Sequence, residues 1–351
     1  MSRGADGAPR ALRVTAPAKV NLGLRVTGVR REGPQRGYHE LASVFVPIDY
    51  ADEVEIELVA GASTGGGPAV ALEIEGGVPG VPADASNLAA RAAAAFLSAA
   101  GSGAAVQLTL HKRVAAGAGL GGGSSDAGAV LRGLASLLPG AVPPQALERI
   151  ALALGADVPF FLDPRPAFVT GIGERREPVP ELGSLWLVLA HPGVPLATAE
   201  VFRAFDAFPR ALTGPPPAST MPALSGLLGQ RAGDDPRSLA SQLDTLLEND
   251  LEPAALRLCP AIGRLRARLR DVGALGVGLS GSGPTMFGVF ADAEAARKAA
   301  EGMALDPPAW SRVASRWIAP AESRAESPRK SPRKSPRKSG RTEPGGASPN
   351  W

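Results

Sequence analysis

The stretch Lys112-Arg-Val-Ala-Ala-Gly-Ala-Gly-Leu-Gly-Gly-Gly-Ser-Ser-Asp-Ala127 holds the residues of this chain whose types and spacing best suit chemistry. Five glycines fall within residues 117–123, and the hydroxyls Ser124 and Ser125 follow at once. Ala127, Val130, Leu131, Leu134 and Leu138 then recur at helical spacing. The glycines therefore end where an amphipathic helix begins, with Ser124 or Ser125 expected as its N-cap. A helix start offers unpaired N–H groups and the positive end of the helix dipole. Glycines let such groups close around an anion, so the stretch suits phosphate. Val106–His111 alternates like a strand, giving strand, glycine loop, helix.

Two familiar phosphate motifs fail here. Gly117, Gly119 and Gly122 satisfy the dinucleotide pattern G-x-G-x-x-G. That unit also needs a second strand ending in an acid roughly 20 residues on. Here the helix runs instead into Leu138-Pro-Gly140 and a second helical segment. No lysine follows the glycines, which excludes the Walker pattern. A flexible linker would not sit between so clear a strand and so clear a helix.

Residues 14–26 alternate apolar and polar, placing Lys19 and Asn21 on the polar face of a half-buried strand. Only six lysines occur beside 31 arginines, so Lys19 and Lys112 stand out where arginine handles routine surface charge. Asp157 lies in the apolar setting Val158–Leu162, which argues against a merely solvated carboxylate. With a nucleotide's phosphates on the glycine loop, Lys19 and Asp157 offer a phosphoryl-transfer pair. The aspartate could accept the proton of an attacking hydroxyl while the lysine stabilises developing charge. Spacing alone does not pair them. The serines could reach Mg²⁺ or a phosphate oxygen, and Asp126 should point outward or engage the metal.

Composition bounds the class. The length suggests two domains, and no apolar run reaches the roughly 18 residues of a membrane span. No signal peptide is visible, and one cysteine, Cys259, fits a reducing cytoplasm. The three histidines lack zinc spacing. From Glu322 the tail carries eight Arg or Lys against three Glu, so a chain of formal net charge +3 has a slightly acidic body. Ser-Pro-Arg-Lys repeats at 327, 331 and 335. Like charge and proline predict a disordered segment at 320–351, one able to meet nucleic acid phosphates. A non-catalytic nucleic-acid-binding protein using this tail is therefore the rival reading from another class.

The elements that must position these residues can be read in order. Residues 1–11 look frayed, and strands are expected at 14–26, through Phe45–Ile48, at 52–58 and at 70–74. Gly61–Pro68 reads as a turn and Asn87–Ala100 as a helix. Pro143-Pro144 opens another helix, which ends near Leu154 with Gly155 as its C-cap. Ala167–Gly173 and Leu185–Ala190 look like strands beginning a second unit, and Thr198 leads into a short helix with Val201, Phe202 and Phe205. Arg210–Asp235 reads as an irregular insert; helices at 239–247 and 254–272 follow. A second glycine loop, Gly276–Thr285, precedes strand 286–290, helix 293–303 and strand 311–317.

Pro17-Ala-Lys-Val-Asn-Leu22, Gly119–Ser125 and Leu279–Gly283 resemble the three motifs of the GHMP kinase superfamily. Within it, Gly37–Leu41, Leu154–Pro159, Gly171–Glu174 and His191–Val194 resemble the branch acting on a cytidine diphosphate-linked methylerythritol. The resemblance spans about residues 12–318. It implies a two-domain α+β fold: a ribosomal-protein-like N-terminal domain (12–164) and a ferredoxin-like C-terminal domain (165–319). It also implies an ATP- and Mg²⁺-dependent kinase of the non-mevalonate isoprenoid route, phosphorylating a small-molecule alcohol, with no membrane partner. Homoserine or mevalonate kinase activity is the nearer rival, against which the Tyr38-His39 motif argues.

By the same resemblance, Lys19 and Asp157 match the catalytic pair. The ATP loop is Ala115, Ala116, Gly117, Ala118, Gly119, Leu120, Gly121, Gly122, Gly123, Ser124 and Ser125. Tyr38 and His39 match cytidine-holding residues, and Asn21 lies beside the acceptor. Phe45 and Phe202 suit sandwiching of the cytosine ring. Ala115 stands where the family usually carries proline, and Gly33–Arg36 lengthens the loop before Tyr38.

Overall fold

A computed structural model describes residues 10–59, 69–179, 184–208 and 243–319. The expected turn at Gly61–Pro68, the insert at Arg210–Asp235 and the tail at 320–351 lie outside these residues. Two strands form the frame: β1 (Arg10–Val29) and β2 (His39–Val59) pair antiparallel along almost their whole length. β1 therefore begins at Arg10, inside the stretch expected to be frayed, because its apolar alternation lets it pair with β2 down to Leu58. Along its other side, β2 pairs β4 (Ala105–His111) at one end and β5 (Ala167–Gly171) at the other. β3 (Val70–Glu75) and β6 (Arg175–Pro178) complete a six-stranded sheet. Ala167–Gly171, expected to open the second unit, extends the first sheet instead. Its Val169 is fully buried beside Phe45, which its partner strand β2 supplies.

Helices α1 (Leu88–Ala99), α2 (Gly122–Leu137) and α3 (Pro144–Leu154) cover one sheet face. Phe96, Leu97, Val130, Leu131 and Leu134 pack there on Val54, Ile56, Leu108 and Leu110. Asn87 caps α1, accepting from the Ala89 N–H at 2.9 Å, and Gly155 caps α3, the latter as expected. The second sheet runs β10 (Trp310–Ser315), β7 (Trp186–His191), β9 (Met286–Phe290), β8 (Gly276–Leu279), all antiparallel. Its helices are α4 (Thr198–Asp206), α5 (Glu252–Leu258), α6 (Ala261–Asp271) and α7 (Ala293–Met303). This strand order and βαββαβ connection are ferredoxin-like. The single helix expected at 254–272 is two, because Pro260 removes a backbone donor and ends α5 at Leu258.

The two units share a core. Val20, Leu22, Val44, Val46 and Ile48 of the β1–β2 ribbon pack on Leu187, Leu189, Phe287 and Val289 of the second sheet. The ends are stitched as well: Trp317 N–H donates to the Pro47 carbonyl at 2.9 Å, and Asp49 accepts from the N–H and hydroxyl of Ser315.

His191, at the end of β7, is buried and stacks on Trp310 with ring centroids 5.2 Å apart. Its Nδ1 accepts the Gly193 N–H at 3.0 Å, which puts the proton of the neutral ring on Nε2. Burial pushes the ring down to about 4. The unfolded chain therefore binds the extra proton first. Stability should fall as pH drops from about 6.5 to about 4, by at most on the order of 3 kcal/mol. Chemical denaturation across that range should show a shallower slope in His191→Gln than in the parent. Equal slopes would refute a buried neutral ring.

Candidate active site

A cleft of about 520 Å³ opens between the two units. Lys19 and Asn21 reach it from β1, beside a register shift between Pro17 and Lys19. Both are fully buried, so the polar face of this strand is the floor of a site and not a solvated surface. The Lys19 Nζ donates to Asn21 Oδ1 at 2.5 Å and to the Gly119 carbonyl at 3.3 Å. It lies 4.9 Å above the Phe45 ring and 3.7 Å from Asp157 Oδ2. Asn21 is held in turn: its Nδ2 donates to Ser43 Oγ at 3.0 Å, and that hydroxyl donates to the Gly23 carbonyl at 2.6 Å. Burial drives the Lys19 ammonium below its usual range, and Asp157 only partly offsets it. Asp157 precedes the 3₁₀ turn Val158–Leu162 and is 30 % exposed, open to the cleft. The fold thus brings together two residues that sequence spacing leaves 138 positions apart.

The glycine loop forms the cleft wall. Ala115 to Gly119 and Gly121 to Ser124 line it, whereas Leu120 and Ser125 are buried behind it. Each has a structural task. The Leu120 carbonyl accepts the Lys19 N–H at 2.9 Å, and Ser125 Oγ donates to the Pro17 carbonyl at 2.7 Å. The expected serine N-cap is absent. Gly121 caps α2 with φ +71°, because Ser125 faces β1 and the chain turns into the helix through a left-handed residue three positions before Ser124. With no side-chain oxygen on the cap, the first N–H groups of α2 remain available to a ligand.

The second glycine loop closes on the first, backbone to backbone. Ser280 Oγ donates to the Gly119 carbonyl at 3.0 Å, and a Cβ on Gly119 would stand 2.3 Å from the Ser280 carbonyl oxygen. Asn249 secures this loop: its Nδ2 donates to the Leu279 and Gly281 carbonyls at 2.9 and 2.8 Å. Nothing in the local sequence marks Asn249.

Aromatic residues also line the cleft. Phe45 and Phe202 both line it, with Leu24, Leu41 and Leu251. Phe45 packs edge-on against Phe160 at 5.3 Å. His39 stacks on Phe202 at 4.7 Å and its Nε2 lies 2.8 Å from Asp206 Oδ1, but it does not line the cleft. Tyr38 stands outside it too, 56 % exposed.

Asp126 does not point outward to solvent, the first of its two expected roles. It is buried and accepts from Lys112 Nζ at 2.6 Å, and the same ammonium donates to Asp52 at 2.5 Å. Burial, and then the neighbouring Asp52, push Asp126 up to about 7 against the pull of Lys112. Burial works against the Lys112 charge as well, but the two carboxylates outweigh it and hold the ammonium above its usual range. Asp52 was missed in the sequence, although a signal exists: it falls in phase with the inward-facing Val54, Ile56 and Leu58. A lone carboxylate on an apolar face must have a buried partner.

An uncapped glycine-rich helix start, a buried lysine and an open carboxylate of the first unit, facing a ferredoxin-like second unit across one cleft, are the arrangement of a GHMP kinase. Matching family models agree: GHMP kinases N terminal domain over residues 87–163 and GHMP kinases C terminal over 227–306. The chain belongs to the 4-diphosphocytidyl-2-C-methyl-D-erythritol kinase family. It is 39 % identical over 295 residues to the kinase of that name from Citrifermentans bemidjiense, covering 84 % of this chain and 94 % of that one. It is 40 % identical over 310 residues to that of Deinococcus radiodurans, covering 88 % and 92 %. A crystal structure of 4-(cytidine 5'-diphospho)-2C-methyl-D-erythritol kinase superposes with TM-score 0.67 at 36 % identity, covering 87 % of this chain and 98 % of that one.

Gly121→Val tests the wall. A Cβ there would meet the Phe161 ring at 3.1 Å and Lys19 Cγ at 3.2 Å, on a backbone of φ +71°. The substitution should raise KM for ATP and lower kcat together, each by about tenfold or more, because it displaces loop and lysine at once. Unaltered steady-state kinetics would refute the placement.

Proposed function

We propose that this chain transfers the γ-phosphoryl group of ATP to the 2-hydroxyl of 4-diphosphocytidyl-2-C-methyl-D-erythritol, forming an isoprenoid precursor by the non-mevalonate route. The observation that carries the chemistry is the convergence of Lys19, Asp157 and the start of α2 on one cleft. Asp157 accepts the hydroxyl proton as the substrate oxygen bonds to the γ-phosphorus and the bridging bond to the β-phosphate breaks. Lys19 faces the charge that develops on the attacking oxygen, and Asn21 fixes its direction through their 2.5 Å contact. The triphosphate lies against Gly119 to Ser124, where uncapped N–H groups answer its charge.

Magnesium fits as the companion of the nucleotide. Among the described residues no group of three His, Cys, Asp or Glu side chains could hold a metal ion, and both oxygens of Asp52 are taken by Lys112 and the Arg113 and Val114 N–H groups. Ser124 is the hydroxyl that would reach the ion, whose other ligands would be phosphate oxygens and water. When bound, it neutralises the charge of the β- and γ-phosphates.

The cytidine end is assigned to the aromatic side of the cleft, with Phe45 and Phe202 about the base and Tyr38 and His39 at its rim. His39 is held for this by its stack on Phe202. Tyr38 would have to swing inward from its exposed position to touch the ligand. No helix among the described residues is long and apolar enough to cross a membrane, and the single cysteine is a free, buried thiol. Both suit work in the cytoplasm on a freely diffusing substrate.

The decisive experiment incubates the protein with Mg-ATP and, separately, the cytidylated alcohol, homoserine and mevalonate. Only the first should be phosphorylated; turnover of either other alcohol without it would overturn the assignment. Asp157→Asn should cut kcat at least about 10²-fold with ATP affinity nearly unchanged. Turnover near the parent value would remove Asp157 from the mechanism.

A further inference from the structure

The mechanism leaves one buried ionic cluster unused. Lys112 directly follows β4, three residues ahead of the glycine loop's start at Ala115, and Asp126 lies on the first turns of α2, just past the end of that loop. Their 2.6 Å contact therefore joins the two ends of the nucleotide loop through one ammonium. Asp52 anchors the same ammonium to the central strand at 2.5 Å. Its other oxygen accepts the N–H groups of Arg113 and Val114 at 2.5 and 2.8 Å, so the outgoing backbone is held as well. The Lys112 N–H donates to the Glu75 carbonyl at 2.8 Å, tying the same residue to β3. All three side chains are at most 4 % exposed.

Charge decides what this cluster can do. One ammonium faces two carboxylates, so with both ionised the cluster as a whole is negative and the Lys112 charge is already balanced within it. Asp126 Oδ1 is buried with no donor among the described residues, and Asp126 lines the cleft beside Lys112. An anionic ligand would be repelled from that oxygen, toward Gly119 to Ser124.

We infer that Lys112 is a positioning residue for nucleotide binding: with Asp52 and Asp126 it forms a clamp that sets the mouth of the glycine loop and presents its N–H groups at phosphate spacing. The inference rests on the kinase reading above, and its test is read separately from that reading. Loss of the clamp weakens ATP binding without touching the transfer step. A direct Lys112–phosphate contact predicts the opposite response at Asp126, since removing that carboxylate would free the lysine and favour the anion.

Asp126→Asn decides between them, because it keeps the shape of the side chain and leaves Lys112 paired with Asp52. The clamp predicts that KM for ATP rises at least about fivefold, with kcat at saturating ATP and KM for the cytidylated alcohol within about twofold of the parent. Lys112→Met should raise KM for ATP further, by about tenfold or more, in the same pattern. If Lys112→Met fails to fold because two carboxylates are left facing each other, Asp126→Asn is sufficient by itself. An unchanged or lowered KM for ATP in Asp126→Asn would overturn the clamp. So would a lowered Tm with KM unaltered, which is what a purely structural cluster gives. Failure of the alcohol to turn over in the parent protein would instead overturn the kinase reading.

Discussion

Burying an ammonium is costly unless its charge is answered, and this chain buries two of them, Lys19 and Lys112, on either side of one glycine loop. Lys112 is answered in full by two carboxylates that are themselves buried. Lys19 is answered only in part, by an amide, a carbonyl, an aromatic face and one carboxylate at 3.7 Å. The difference separates a residue that holds structure from one that has capacity left for a ligand. Around that asymmetry the rest of the site is arranged.

Backbone groups supply most of the remaining contacts, which explains why glycine is so dense here. The first loop must approach the second to within hydrogen-bonding distance while leaving the first N–H groups of α2 exposed to the cleft. A Cβ at Gly119 would collide with the Ser280 carbonyl, and one at Gly121 with Phe161 and Lys19. Each glycine is thus required by a different neighbour, drawn from a different element. Asn249 plays the complementary part, filling the carbonyls of the second loop that no strand partner reaches.

The site lies at the junction of two sheets, so its geometry depends on their common core. Val20 and Leu22 alternate with Lys19 and Asn21 on the same strand. The packing that fixes one set against the second sheet therefore fixes the other at the cleft floor. Trp317 and Ser315 bind the end of the second unit to β2 at Pro47 and Asp49, which keeps the cleft walls in register.

Local pattern in the sequence determined a good deal. Period-two alternation placed β1 and β4, alanine-rich composition placed α1, helical spacing placed α2, end residues placed α3, and dense glycine placed the loop before α2. These readings succeed because they depend on neighbours a few residues away. The clamp, the Lys19–Asp157 pair and the His39–Phe202 stack depend on contacts across 14 to 163 residues, and no local spacing encodes them. Ser125 shows the limit most plainly. By composition it is the obvious helix cap, but its hydroxyl goes to Pro17 because β1 passes beneath it, and the cap falls to a glycine. Tertiary structure decided that exchange: a buried hydroxyl takes the acceptor that packing brings to it, whichever role its position in the chain suggests.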